Sequence, residues 1–194
     1  MEEKIKIIKE KALADNIPII MDDTLAVIKE ILLEKKPKMI LEIGTAIGYS
    51  AICFSNILNN EVCIDTIELD EIRAHEAICN ISNLKLEGRI SVLIGDAVEI
   101  LPGIDKLYDV VFIDASKSKY PVFLEHAIRL TGKNSVIIAD NVLFKGYVLG
   151  NYSKHKQRTT VNRLREYLEM VNSNPSVHTE ILEVGDGLAV SCRV

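Results

Sequence analysis

Met39-Ile40-Leu41-Glu42-Ile43-Gly44-Thr45-Ala46-Ile47-Gly48-Tyr49-Ser50 opens with an apolar run too short for an independent helix and breaks at two glycines. It resumes as Ser50-Ala51-Ile52-Cys53-Phe54-Ser55-Asn56-Ile57-Leu58 at helical spacing. That pattern is a strand, a tight turn and a helix. Glycine lets backbone approach a ligand where a Cβ would clash, and the helix start behind it offers unpaired N–H groups. A small ligand is expected at the carboxyl end of this strand.

The chemistry of the turn narrows the ligand. A dinucleotide fold uses G-x-G-x-x-G to seat a pyrophosphate, whereas the glycines here are Gly44 and Gly48, and an acid, Glu42, precedes them. A carboxylate at that mouth repels phosphate and attracts a cation. A second apolar run, Val62-Cys63-Ile64-Asp65-Thr66-Ile67, ends in Glu68, where an acid can accept hydrogen bonds from both hydroxyls of a ribose. Ribose together with a cationic ligand points to S-adenosylmethionine. The plainer reading, that Gly44 and Gly48 merely shape a βα turn, is weakened by acids at two successive strand ends.

The rhythm extends in both directions. Met1 to Ala14 carries Ile5, Ile7, Ile8 and Leu13 among lysines and glutamates, an amphipathic helix, and Asp22-Asp23-Thr24 can cap a second helix through Leu25, Ile28, Ile31 and Leu32. Downstream, Asp70 to Leu84 reads as a helix burying Ile72, Ala77 and Ile81, followed by a strand over Ile90 to Ile94 and a short helix ending at Leu101-Pro102-Gly103. Tyr108 to Ile113 is a strand, Val122 to Leu130 a helix, and Ser135 to Ala139 a fifth strand. Val142 to Asn151 is loop-like and Lys156 to Val171 helical, and the runs His178 to Val184 and Leu188 to Cys192 flank Gly185-Asp186-Gly187 as a hairpin. Alternating strands and helices imply an α/β fold with a parallel sheet and right-handed crossovers, and the hairpin implies that the sheet finishes antiparallel.

At 194 residues the chain fits one α/β domain, residues 1–194, with residues 1–36 as helices packing over the cofactor site. A net charge of −5 gives no whole-protein attraction to nucleic acid, although a local basic face can exist. Cys53, Cys63, Cys79 and Cys192 lie far apart without a C-x-x-C pair, and read as reduced, mostly buried thiols of a cytoplasmic protein. No apolar run reaches the roughly 18 residues of a membrane span, and no signal-peptide core follows the charged N-terminus.

In open α/β sheets the ligand crevice lies outside the carboxyl ends of the strands. This chain places Glu42, Glu68, Asp96, Asp114 and Asp140 there, one for each expected parallel strand. Any one of them could be an ordinary helix cap. Taken together, Glu42 suits the charged methionine part of the cofactor, Glu68 its ribose, and Asp96 with Ala97 its adenine. Asp114, Asp140 and Asn141 then offer two carboxylates and an amide oxygen, donors that suit Mg²⁺, Mn²⁺ or Ca²⁺ and leave about three octahedral positions for water and substrate. A substrate with two adjacent oxygens could fill such an incomplete cage. The structural alternative is an Asx-turn at Asp140-Asn141.

These residues also carry a family resemblance. Leu41 to Ser50, Phe112-Ile113-Asp114-Ala115-Ser116-Lys117-Ser118-Lys119-Tyr120 and Ala139-Asp140-Asn141-Val142 resemble the signature blocks of cation-dependent, S-adenosylmethionine-dependent O-methyltransferases, the group of catechol and caffeoyl-CoA O-methyltransferases. The resemblance implies a three-layer, Rossmann-like class I methyltransferase fold with a seven-stranded sheet. It also implies cofactor contacts from Ile20, Glu42, Gly44, Thr45, Gly48, Ser50, Glu68, Asp96, Ala97 and Asp114. Asp114, Asp140 and Asn141 match the metal ligands, Lys117 matches the lysine beside the substrate hydroxyl, and a homodimer is expected on the same basis. A narrower resemblance, carried by Asn16-Ile17-Pro18-Ile19, Asp140 to Gly146, Asn151-Tyr152-Ser153-Lys154 and Val184 to Ala189, is to the bacterial branch that methylates 5-hydroxyuridine at the tRNA wobble position.

The sulfonium of the cofactor is an activated methyl donor, so the protein must position and deprotonate the nucleophile. Lys117 is the candidate proton acceptor, with a solvated helix-start lysine as the bland reading. In 5-hydroxyuridine the 5-hydroxyl adjoins the 4-oxo group, which mimics the vicinal oxygens of a catechol. Lys145, Lys154, His155, Lys156, Arg158, Arg163 and Arg165 follow the metal block, and Lys35, Lys36 and Lys38 form a second cluster that could neutralise phosphates. The acceptor is therefore expected to be a tRNA anticodon loop, with a small phenol bearing vicinal oxygens as the alternative. A non-catalytic cofactor-binding domain ranks lower, and an NAD-dependent oxidoreductase lower still.

Overall fold

A computed structural model of the chain describes residues 1–59, 61–150 and 157–194. These group into two compact halves, Met1–Ala97 and Val98–Val194.

In the first half, β1 (Met39–Ile43), β2 (Cys63–Glu68) and β3 (Ile90–Ile94) pair in parallel, with Glu42 opposite Thr66 and Glu68 opposite Ile94. Ile40, Leu41 and Ile43 are fully buried, the near-continuous apolar run of a strand covered on both faces. Helices α3 (Tyr49–Ile57) and α4 (Glu71–Asn83) follow β1 and β2, while α1 (Glu2–Ala14) and α2 (Asp22–Lys35) pack against α3.

Three details differ from the sequence expectations. On α1 the buried residues are Ile8 and Ala12, while Ile7 and Leu13 are exposed, because a stripe four residues apart cannot include them. Helix α2 starts one residue earlier than a cap at Asp22 requires: Met21 is its N-cap and Asp22 and Asp23 lie inside the first turn, where acids still suit the helix dipole. On α4, Ala74, Ala77 and Ile81 form the buried stripe and Ile72 is 82% exposed. Asp70 caps that helix, accepting from the N–H groups of Ile72 and Arg73 at 2.9 and 3.1 Å.

In the second half, β4 (Tyr108–Ile113) runs parallel to β5 (Thr131–Ala139), and β7 (Leu188–Arg193) lies antiparallel to both β5 and β6 (Val177–Leu182). A short helix α5 (Ala97–Ile100) precedes β4, and α6 (Tyr120–Arg129) and α7 (Arg158–Ser173) complete the helices. Strand β5 begins four residues before the expected Ser135, since the β4 pairing jumps from Tyr108–Thr131 to Val110–Val136 and the intervening residues bulge. The strand order β3-β2-β1-β4-β5-β7-β6, with the terminal hairpin antiparallel, is the mixed seven-stranded Rossmann-like sheet that the resemblance implies.

All four cysteines are free thiols, but only Cys53 is buried; Cys63 and Cys192 are half-buried and Cys79 is exposed, so the expectation of mostly buried thiols is corrected. Among the described residues no helix is long and apolar enough to cross a membrane.

Candidate active site

The turn after β1 is built around a buried carboxylate. Glu42 is inaccessible to solvent and accepts from the hydroxyl of Ser50 on one oxygen and of Thr66 on the other, both at 2.5 Å. Thr45 closes the cluster, its hydroxyl 2.5 Å from that of Thr66. Positive φ recurs at Gly44 (105°), Ala46 (46°) and Gly48 (82°) and curls the turn tightly. At Gly48 the lost side chain serves packing: a Cβ there would stand 3.2 Å from the Cβ of Ala77 on α4.

Glu68 sits beside this turn. One of its oxygens accepts from the N–H of Ala46 at 2.7 Å and the other from the N–H of Asp70 at 3.0 Å, so its orientation is set by backbone. Each carboxylate oxygen keeps a lone pair, which leaves the acid able to accept from a diol as well. The N–H of Gly95 donates to the Glu68 carbonyl at 2.8 Å, which ties the Gly95-Asp96-Ala97 turn to the end of β2; Ala97 is buried and Asp96 half-buried. Ile20, just before α2, is buried at 4% exposure. The expected cofactor residues of the first half thus occupy the carboxyl ends of β1, β2 and β3, apart from Ile20.

The second half holds the other cluster. Lys117 Nζ lies 2.9 Å from Asp114 Oδ1 and 5.6 Å above the centroid of the Tyr120 ring. Tyr120 is fully buried, packed edge-on against Tyr167 at 5.6 Å, and its hydroxyl meets the carbonyls of Asp140 (2.8 Å) and Ile113 (3.2 Å). Asp140 is 2% exposed; its backbone N–H donates to the Ile113 carbonyl at 3.0 Å, and its Oδ1 accepts from the N–H of Asn141 at 2.7 Å. Asn141 takes a left-handed conformation, φ 56°.

Burial first, and then the negative charge of Asp114, push the Asp140 carboxyl up from 3.8 to about 7; the Asn141 N–H and the Lys117 ammonium oppose this, and Asp186 reinforces it. A buried carboxylate whose ionisation is disfavoured by burial and by a second carboxylate beside it is part of a donor set suited to a cation. Among the described residues no three Asp, Glu, His or Cys side chains group as a metal site, so the fit rests on two carboxylates plus the amide of Asn141, hard oxygen donors appropriate to Mg²⁺ or Mn²⁺.

The basic cluster is thinner than its sequence suggests. Arg165 is engaged with the carbonyls of Tyr147, Val148 and Gly150, and Arg163 pairs with Glu166 at 2.6 Å. Lys145 and Arg158 are exposed, whereas Lys154, His155 and Lys156 lie outside the described residues. Sequence reasoning missed Thr66, Tyr120 and Asp186. Thr66 was visible as a hydroxyl inside an apolar run and Asp186 as an acid between two glycines, but nothing in the order of residues marked their partners.

The O-methyltransferase family model matches residues 25–194. The chain is 33% identical over 163 residues to a catechol O-methyltransferase of Niastella koreensis, covering 79% of this chain and 72% of that one. It is 30% identical over 160 residues to a catechol O-methyltransferase of Mycobacterium tuberculosis, covering 79% and 71%. The solved structure of an O-methyltransferase from Bacillus cereus in complex with SAH superposes with a TM-score of 0.89 at 28% identity, over 99% of this chain and 91% of that one. With a family match spanning both clusters and relatives similar over most of their length, the chain belongs to the O-methyltransferase family.

Proposed function

We propose that the chain is an S-adenosylmethionine- and divalent-cation-dependent O-methyltransferase whose acceptor is the 5-hydroxyl of 5-hydroxyuridine at the tRNA wobble position. The observation that carries the cation dependence is the Asp114–Asp140 pair: burial first, and then the charge of Asp114, raise the Asp140 carboxyl to about 7. When bound, the cofactor supplies an activated methyl group on a sulfonium and the cation stabilises an ionised hydroxyl near neutral pH.

The chain's own residues do the rest. Glu68 orients the ribose through lone pairs its backbone donors leave open, and the Glu42–Ser50–Thr66 cluster fixes the turn against the methionine part. Asp114, Asp140 and Asn141 would hold the cation, and Lys117, placed by Asp114 and the Tyr120 ring, would receive the acceptor proton only after giving up its own, as the neutral amine that a neighbouring cation favours. Exposed Lys145 and Arg158 follow the metal block and suit phosphates of an anticodon loop. A homodimer belongs to the same reading, and light scattering of the purified chain tests it.

A second reading is favoured by the two relatives above that are catechol O-methyltransferases. There the acceptor is a small catechol-like phenol, and the cation site is unchanged. The test supplies purified protein with labelled cofactor, Mg²⁺ and either hydroxylated tRNA or a catechol. The tRNA reading expects transfer to RNA that weakens steeply with salt and a loss of 5-methoxyuridine in cells lacking the protein. Transfer to catechol alone establishes the second reading, and undiminished transfer in chelator refutes the cation dependence of both.

A further inference from the structure

The loop that leaves the cation site is fastened to an element far away in sequence. After Asn141, the N–H of Val142 donates to the carbonyl of Gly187 (2.9 Å) and the N–H of Leu143 to the carbonyl of Asp186 (3.0 Å). The N–H of Lys145 then donates to Asp186 Oδ1 at 2.5 Å. The turn that supplies these acceptors closes on itself through the Gly187 N–H to the Val184 carbonyl, 2.9 Å. Leu143 fills the space above Gly187, where a Cβ would stand 2.3 Å from Leu143 Cγ.

The fastening has strain to oppose. Asn141, Phe144 and Lys145 all have left-handed φ, at 56°, 46° and 58°, each costing on the order of 1 kcal/mol for a residue with a Cβ. On the other flank Tyr120 grips the Asp140 carbonyl. Asp140 and Asn141 therefore sit between two anchors, and a conformation that would otherwise relax is held.

We infer that the turn between β6 and β7, through Asp186 and Gly187, is a positioning element for the ligand pair Asp140–Asn141. Asp186 acts here through its oxygen as a backbone acceptor, a role distinct from the effect of its charge on Asp140, and the asparagine variant separates the two. The inference rests on the proposed cation site, and groups that orient metal ligands typically affect affinity about 10- to 100-fold.

The experiment uses the full chain without cofactor or acceptor. Mn²⁺ affinity is read from the free-ion paramagnetic resonance signal, and amide hydrogen exchange of the segment 140–146 is followed in the metal-free protein. Asp186→Ala is expected to weaken Mn²⁺ binding at least about tenfold and to speed exchange in that segment, while Asp186→Asn, which keeps the acceptor oxygen, stays close to wild type in both. If Asp186→Ala does not fold, Gly187→Ala, which displaces Leu143, takes its place with the same expected effects. Wild-type affinity and protection in the disruptive variant overturn the inference, as does an Asp186→Asn protein that loses affinity with exchange unchanged, which would make Asp186 an electrostatic group. Wild-type protein that does not bind Mn²⁺ overturns the cation reading and this inference with it.

Discussion

Replacing Asp140 with asparagine removes one charge from the proposed cation site and leaves its shape intact, since an amide oxygen can still accept from the Asn141 N–H as Oδ1 does at 2.7 Å. The charge has a measurable cost. Burial and Asp114 raise the carboxyl from 3.8 to about 7, so the folded protein holds this proton more tightly than the unfolded chain does. The associated stability is complete below about pH 4 and is lost as pH rises through about 7. At about 1.4 kcal/mol for each tenfold change in proton affinity, the whole effect is about 4 kcal/mol. Between pH 5 and pH 8 roughly 2 to 3 kcal/mol of it falls within the measured window. Urea unfolding in chelator should therefore show the wild type losing that much more stability than Asp140→Asn between the two pH values, every other group being common to both. Saturating Mg²⁺ at pH 8 should raise the wild-type midpoint and leave the variant's unmoved, because a ligand stabilises only the state that binds it. Parallel stability curves for the two proteins would refute the reasoning.

Gly48→Ala combines a φ of 82° with a Cβ 3.2 Å from that of Ala77 and should cost about 1 to 2 kcal/mol in urea unfolding; adding Ala77→Gly should recover only the steric part. Glu42→Ala leaves the buried hydroxyl of Ser50 without its acceptor and that of Thr66 with only Thr45, and should cost about 1 to 3 kcal/mol by the same measurement, with a loss of S-adenosylhomocysteine binding by calorimetry. Lys117→Met should lower kcat by about 10²- to 10⁴-fold while Mn²⁺ and S-adenosylhomocysteine still bind; unchanged turnover would remove Lys117 from the proton transfer.

Much of the architecture is legible from spacing because strand and helix periods differ and the punctuation is strong. The glycines of the first turn and the Gly185-Asp186-Gly187 hairpin do in the structure what their chemistry requires. The misreadings have physical causes. Ile72 was counted with Ala77 and Ile81 because it is apolar, yet on α4 the stripe at spacings of three and four starts at Ala74 and leaves Ile72 facing outward. Gly132-Lys133-Asn134 resembles a loop, and the chain does bulge there, but strand pairing resumes on both sides. The arginines after Asp140-Asn141 read in sequence as free charges, although two of them are occupied with carbonyls and a glutamate.

Hydrogen-bond partners were less legible than elements, and Glu42 shows why. Its acceptors are filled by Ser50, eight residues away, and by Thr66, which lies opposite it only because β1 and β2 pair in one register. Side chains alternate faces along a strand, so a slip of one residue would turn Thr66 to the opposite face of the sheet and leave a buried carboxylate short of a donor. A buried acceptor that loses a donor costs about 1 to 3 kcal/mol, as much as the burial of an apolar side chain gains. The polar cluster is thus not decoration on a sheet fixed by Ile40, Leu41 and Ile43. Those residues are buried on a strand covered on both faces, and the two hydroxyls that Glu42 meets add to them a directional contribution to the register that brings Glu42 and Glu68 to the same edge.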